Sequence, residues 1–402
     1  MKKKLTWGDA VMLMLLSAVT AGSIATLFCF QNINSRLDSL KEKEKEYSKF
    51  DKVKENVELY YVGKYDENAL VDGAMKGYIN ALGDKWSLYL TPEEYSEVKQ
   101  DMKNEYAGVG MTISYKSDTG AMVITGVGEG SPAAKAGIEK LDEVVEIDGV
   151  SVAKLKSNDI LEEMRGKEGT TVKLKIRKAS TGEVKDLSLT REKIKVQAVK
   201  TEMLGGSVGL VTISNFDSGV DEQFKTGVNA LIKGGAKALI FDVRFNGGGS
   251  TASMIPALDM LLPQVKVFSM RDKSGQGQDF MSDKAEINLP MAVIVNEYSY
   301  SAAEYFAAVL QEYKKAEVVG EKTTGKCYAQ ELIGLPDGSG LYLSTKTFLT
   351  PKGVNLAEKG GITPDYIVEM PDKDMTNFSS LTKSQDAQLQ KAYSVVSSEI
   401  KK

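Results

Sequence analysis

Chemistry in this chain has to be sought among serines, lysines and carboxylates, because its 402 residues include no histidine. That excludes Ser-His-Asp and Cys-His hydrolysis, His-ligated zinc and any imidazole proton shuttle. Acid/base work falls to Lys, Asp, Glu, Tyr or Cys. Three segments put such residues at turns. Asp242-Val243-Arg244-Phe245-Asn246-Gly247-Gly248-Gly249-Ser250 lies between a buried strand and a helix. Its backbone N–H groups can cradle an anion, either a phosphate or the oxyanion of acyl transfer. It has neither the Gly-x-Gly-x-x-Gly spacing of a dinucleotide fold nor the Lys-Ser/Thr ending of a P-loop. In Asn296-Glu297-Tyr298-Ser299-Tyr300-Ser301-Ala302-Ala303-Glu304, Ser301 with Glu304 three residues on spells a capping box. A serine at a strand-to-helix corner is also where an acyl-enzyme nucleophile stands; the residues alone leave both readings open. Gly325-Lys326-Cys327-Tyr328-Ala329-Gln330 supplies a lysine at a strand entry. A solvated lysine, with a pKa of about 10.4, is no base near neutrality, so burial or a nearby cation must lower it by several units. Spacing does not choose Lys326 over Lys322.

The elements that must carry these turns follow from periodicity. Leu210–Ile213, Ala238–Val243 and the all-apolar Met291–Val295 alternate as strands with helices over Asp221–Lys233, Thr251–Leu262 and Ala302–Glu312. This is an α/β pattern with strands buried on both faces. It ends in hairpin-like strands from Tyr328 to Leu349 around the turn Pro336-Asp337-Gly338-Ser339-Gly340. Earlier, short strands at Met111–Tyr115, Ala121–Val127, Leu141–Ile147 and Val172–Ile176 alternate with glycine turns, with helices at Pro132–Ala136 and Ser157–Arg165. Residues Val53–Leu90 carry apolar positions at helical spacing, broken at Gly83-Asp84. The stretch from Asp386 to Lys402 is expected to be helical.

Composition sets the compartment and excludes partners. Lys+Arg number 51 against 55 Asp+Glu, a net charge of -4, which offers no basic surface for nucleic acid. Cys29 and Cys327 are too few and too separated for a disulfide scaffold or a Cys-cluster metal site, so no metal is expected. Lys2-Lys3-Lys4 precede an uncharged run from Ala10 to Phe30. At about 1.5 Å per residue that run makes roughly 31 Å of helix, enough for a bilayer core. Lysines ahead of it place the N-terminus in the cytoplasm and the remainder outside. Cleavage after Val19-Thr20-Ala21 or Ser23-Ile24-Ala25 is the alternative and gives a secreted protein. The run continues past both sites through Phe30, which favours a single-pass anchor. Bulky Phe28 ahead of Cys29 argues against lipid attachment.

Gly108-Val109-Gly110-Met111 resembles the carboxylate-binding loop of PDZ domains, and Gly130-Ser131-Pro132-Ala133-Ala134, Gly137-Ile138 and Asp142–Gly149 match that family's order. Such a loop converges backbone N–H groups on a peptide's terminal carboxylate while a strand edge accepts the tail. The whole order from Val53 to Val368 resembles the C-terminal processing peptidases, or tail-specific proteases: a helical N-terminal region, an inserted PDZ domain and a Ser/Lys peptidase core of crotonase-like α/β fold. The resemblance rests on Asp242–Gly249, Asn296–Ser301 with Glu304, Gly320–Lys326 with Gln330, Thr350-Pro351-Lys352-Gly353 and Gly361-Ile362-Thr363-Pro364-Asp365. It implies Ser301 as nucleophile, Lys326 as base and Gln330 as the residue orienting the lysine. The oxyanion donors are then the amides of Ala302 and of Gly248 or Gly249. Arg165 matches a PDZ arginine implicated in gating. No metal or organic cofactor is implied; the partners are proteins with accessible C-terminal tails, and the resemblance alone implies a homodimer or larger ring through the helical ends. The implied boundaries are 1–30 for the anchor, 31–102 for the helical region, 103–195 for the PDZ domain, 196–370 for the peptidase core and 371–402 for the C-terminal tail. Gly247 stands where the family usually has Pro, Tyr298 and Tyr300 where it has small residues, and Cys327 where it has Gly. Rival readings are a noncatalytic PDZ scaffold with a decayed core and a crotonase-type acyl-CoA enzyme.

Overall fold

The strands Met291–Val295 and Ala238–Asp242 are buried at every position, and period-2 alternation sends neighbouring side chains to opposite faces. Both faces must therefore be covered. In the computed structural model, which describes residues 47–103, 105–116, 121–155, 163–283, 286–376 and 378–400 with Lys45, Ile160 and isolated positions before residue 31, they are. Six strands line up in the order Val199–Leu204, Val208–Ile213, Ala238–Asp242, Met291–Val295, Glu317–Gly320 and Tyr366–Ile367. The first pair is antiparallel and the rest are parallel. Phe241, Val293, Val295 and Val318 face Phe224, Leu258 and Phe306 of the helices Val220–Lys233, Thr251–Asp259 and Ala302–Glu312. Ile240, Ala292, Ile294 and Val319 face Leu389, Ala392 and Val396 of the helix Ala387–Ile400. The C-terminal helix thus caps the second face of the core.

A second sheet aligns Leu88–Leu90, Gly340–Leu349, Lys266–Asp272 and Gly277–Met281, with Tyr328–Gly334 also paired to Gly340–Leu349. Leu88–Leu90, expected to be helical, is a strand here, because its backbone pairs with Gly340, Leu341 and Tyr342. The strands Val199–Leu204, Lys266–Asp272 and Gly277–Met281 had no alternating signature strong enough to be expected. The PDZ region is an antiparallel sheet of Met111–Lys116, Ala121–Val127, Glu143–Ile147, Thr171–Arg177 and Val184–Thr190 around Ile124, Ile147, Leu174 and Ile176. Its two crossings to the core, Glu105–Gly108 and Glu192–Lys195, pair with each other as a two-stranded ribbon. Of the helix expected over Ser157–Arg165, Ile160 and residues 163–165 are described; Ile160, Glu163 and Met164 are helical and Arg165 is not.

The N-terminal unit, up to residue 71, contains a helix over residues 47–60, and Lys54 pairs with Glu67 at 2.6 Å. A helix Glu67–Asn80 follows. No helix among the described residues is long and apolar enough to cross a membrane, and the span expected at 10–30 lies for the most part outside them.

One buried ion network fastens the C-terminal helix to the glycine turn. The Arg244 guanidinium, 2% exposed, donates to both oxygens of Asp242 at 2.9 and 2.6 Å and to both of Asp386 at 2.9 and 2.7 Å. Asp386 also accepts the Leu389 N–H, so one carboxylate caps the helix and neutralises the arginine. Replacing Asp386 by Ala leaves a buried charge short of a partner, and we expect a loss of about 3–5 kcal/mol in chemical denaturation. Asp386→Asn keeps the cap and should recover about 1 kcal/mol of that loss. A cost below 1 kcal/mol for the Ala variant would contradict this role.

Candidate active site

The strand Met291–Val295 delivers the chain to a corner that hydrogen bonds fix to the glycine turn. Asn296 Oδ1 accepts the N–H of Phe245 at 3.0 Å and of Tyr298 at 3.2 Å. The Ser299 hydroxyl donates to Val243 O, and Tyr300 N–H donates to Asn246 O. Held between these ties and the helix Ala302–Glu312, Ser301 adopts φ 57°, ψ -126°. A non-glycine residue occupies such a conformation only when its surroundings over-determine it, and such strain clusters at functional corners.

Glu304 is fully buried, and its carboxylate joins this corner to the next loop. Oε2 accepts the N–H of Ser301 at 3.0 Å and of Lys326 at 2.8 Å. Oε1 accepts the Gly325 N–H at 2.6 Å and the Thr323 hydroxyl at 2.5 Å. The glutamate half of the expected capping box is thus present, and it reaches beyond the helix. Burial pushes the Glu304 carboxyl above its ordinary range, opposed by these four donors. Ser301 and Lys326, 25 positions apart in sequence, share one oxygen atom through their amides.

Lys326 is 7% exposed. Its Nζ lies 4.4 Å from the centroid of Trp86 and 5.6 Å from that of Tyr300. Loss of hydration pulls its pKa down to about 8, against the opposing fields of Asp84 and Glu304. The burial that the sequence could not reveal is therefore present, and it distinguishes Lys326 from the exposed Lys322.

The other expected residues are placed unequally. Ala302 opens the helix, and its amide N lies 3.0 Å from where a β-carbon on Gly248 would sit; the Ser301 β-carbon lies 2.7 Å from that point. Only glycine at 248 allows this approach. The Gly248 N–H donates to Asn246 Oδ1 at 2.8 Å and so is engaged within its own turn. The parallel bridge to Phe216 uses Gly248 O and Ser250 N, leaving the Gly249 amide outside it. Gln330 is not brought onto Lys326: its amide donates to Tyr328 O and Ser344 Oγ. The cause is local, because the pairing steps from Ala329 with Lys346 to Gln330 with Ser344, and this bulge re-aims the side chain. In the PDZ region, the side chains of Val109 and Met111 enter the core. Gly110 at φ 76° packs against Ser131, while Gly108 ends the connecting ribbon. Arg165 is exposed and stacks on Tyr106 of that ribbon at 5.1 Å.

The departures from the family pattern explain one another. A β-carbon at Gly247 would lie 2.8 Å from the Tyr300 hydroxyl, so the missing proline makes room for the tyrosine. Tyr298 stacks on Phe245 at 5.6 Å. Cys327 is fully buried with its thiol pKa pushed up by burial, which suits packing rather than nucleophilic attack. Trp86 was not singled out by sequence reasoning; as one of two tryptophans beside a Gly-Asp helix stop, it gave only a weak signal.

Two substitutions test the corner. Glu304→Gln turns an amide N–H₂ toward buried donors and should cost about 2 kcal/mol or more in denaturant unfolding. Ser301→Gly relieves the left-handed backbone and should stabilise by up to about 1 kcal/mol. A destabilised Gly variant would remove the case for strain.

Comparison with known proteins agrees with this arrangement. Residues 207–368 match peptidase family S41, residues 123–178 match the PDZ domain, and residues 17–94 match the activating protease CtpB N-terminal domain. The chain is 33% identical over 359 residues to the carboxy-terminal processing protease CtpA of Bacillus subtilis (strain 168), covering 88% of this chain and 76% of that protein. It is 29% identical over 375 residues to the "Probable CtpA-like serine protease" of Staphylococcus aureus (strain COL), covering 92% and 74%. A solved S41 protease structure from Bacteroides fragilis aligns with a TM-score of 0.54 at 18% identity, covering 84% of this chain and 99% of that one, and so shares the fold. The chain belongs to peptidase family S41 and is a serine-type peptidase of the carboxy-terminal processing group, with a PDZ domain inserted ahead of its catalytic core.

Proposed function

We propose that the protein is a membrane-anchored, extracytoplasmic endopeptidase that takes protein C-terminal tails on its PDZ domain and cleaves them with a Ser301/Lys326 dyad. The observation that carries the dyad is a dehydrated lysine whose amide shares one carboxylate oxygen with the amide of a strained serine. In this mechanism neutral Lys326 takes the Ser301 proton as Oγ attacks the scissile carbonyl carbon. The amide of Ala302, with that of Gly249 or Gly248, faces the oxyanion. The ammonium of Lys326 returns the proton to the leaving amine, and the acyl group stays on Ser301. Lys326 then removes a proton from water as it attacks the ester, and returns it to Ser301 Oγ as the C–Oγ bond breaks; the acid product departs and loses its proton to solvent.

The anchor and the location rest on the lysine-flanked apolar run at 10–30, and the homodimer on the family resemblance. Gln330 bonded to Ser344 and the Gly248 amide bonded to Asn246 favour a resting arrangement of the site. A tail bound to the PDZ domain, through Arg165 and the connecting ribbon, shifts the population toward an aligned one. Retention of Ser301, Lys326 and the Glu304 clasp argues against a decayed scaffold.

Cleavage of an unfolded protein by the purified chain should vanish in Ser301→Ala and Lys326→Ala. With the Lys326 pKa at about 8, roughly one tenth of the base is neutral at pH 7 and about nine tenths at pH 9. kcat/KM should therefore rise about tenfold between those values on an acid limb centred near 8. Cleavage surviving both substitutions, or a profile flat from pH 6 to 9, would reject the dyad.

A further inference from the structure

We propose that Trp86 is a positioning residue for the base: its indole, backed by Tyr300, is the wall that keeps water off the Lys326 amine. The inference rests on Lys326 being the base, and it names a residue outside the S41 segment as part of the machinery.

The indole lies against the amine at 4.4 Å, and its ring centroid is 5.3 Å from that of Tyr300 at a 39° tilt. Trp86 cannot drift freely. Its backbone N–H donates to Asp84 Oδ1 at 3.0 Å, and the Ser87 hydroxyl donates to Asp84 Oδ2 at 2.6 Å. Ser87 Oγ in turn accepts the Ser344 N–H at 3.0 Å, and Leu88–Leu90 pairs with Gly340–Tyr342. These bonds sew the turn to Gly340–Leu349, the strand paired with Tyr328–Gly334 that follows Lys326. At this turn a cavity of about 590 Å³ opens, lined by Trp86 and Tyr328 but not by Lys326. Its charged lining is Asp84, Lys85, Arg271, Asp272, Lys273 and Lys346. Trp86 therefore borders both this space and the amine.

The groups that act on the amine are Asp84 from the turn and Glu304 from the helix, both favouring the ammonium, while Lys85 sits 4.7 Å from the Trp86 ring. The ring face itself also favours a cation. Exclusion of water works the other way, and with the amine at about 8 against an ordinary 10.5, exclusion prevails. The two effects of the indole have opposite signs, so a substitution separates them.

The test is the pH dependence of kcat/KM on an unfolded protein from pH 6 to 10.5 for the whole chain and for Trp86→Ala, Trp86→Phe and Lys326→Ala. Opening the wall should move the acid-limb midpoint of Trp86→Ala upward by about one unit or more. The rate at pH 7 then falls about tenfold or more, while the rate at pH 10 stays within about threefold. Trp86→Phe, which keeps an apolar ring, should hold the midpoint within about half a unit. Should the Ala variant not fold, Trp86→Leu must still move the midpoint upward by a smaller step. A profile scaled down without moving, or one moved toward acid, overturns the proposal. Activity persisting in Lys326→Ala rejects the dyad instead, independently of what Trp86 does.

Discussion

The carboxylate of Glu304 is the constraint on which this site depends. A fully buried carboxylate is costly unless donors surround it, and here three backbone amides, one of them that of the strained serine, and a threonine hydroxyl do so. Because those donors come from the Ser301 corner and from the loop Thr323–Lys326, satisfying the charge forces two remote segments together. The parallel sheet brings the corner to its C-terminal edge, and the glutamate then fixes where the lysine strand begins. Geometry that would otherwise need many weak contacts is set by one anion.

The surrounding residues show the same economy of position. Arg244 uses both carboxylates of its network to bind the C-terminal helix to the turn that carries Gly248. Tyr300 fills the space released at Gly247 and turns its ring to the lysine, with Trp86 beyond it. The two rings make an aromatic enclosure around the Lys326 amine, the base of the proposed dyad. Its chemical consequence is dehydration, the condition a lysine needs to act as a base near neutral pH.

Much of the core was legible. The all-apolar Met291–Val295, the glycine-stopped helix ending at Lys233 and the Pro-Asp-Gly-Ser-Gly turn each carry a strong local signal, and the structure has them at those places. The short strand Leu88–Leu90 was not legible, because only pairing with Gly340–Tyr342, some 250 residues away, makes it a strand. Ser301 and Lys326 came from ordered motifs rather than from periodicity. What no spacing could state was the burial of Lys326, the partner of Arg244 at Asp386, or the bulge that turns Gln330 to Ser344. Each of these is a tertiary fact, set by which strands lie side by side.

The most direct test of the account is a residue-specific NMR titration of the Lys326 side chain in the Ser301→Ala protein, its resonance assigned by its absence from Lys326→Ala. The account predicts a midpoint near 8, with the neutral amine prevailing above it. A midpoint at the ordinary value of 10.5 would show a hydrated ammonium and contradict it.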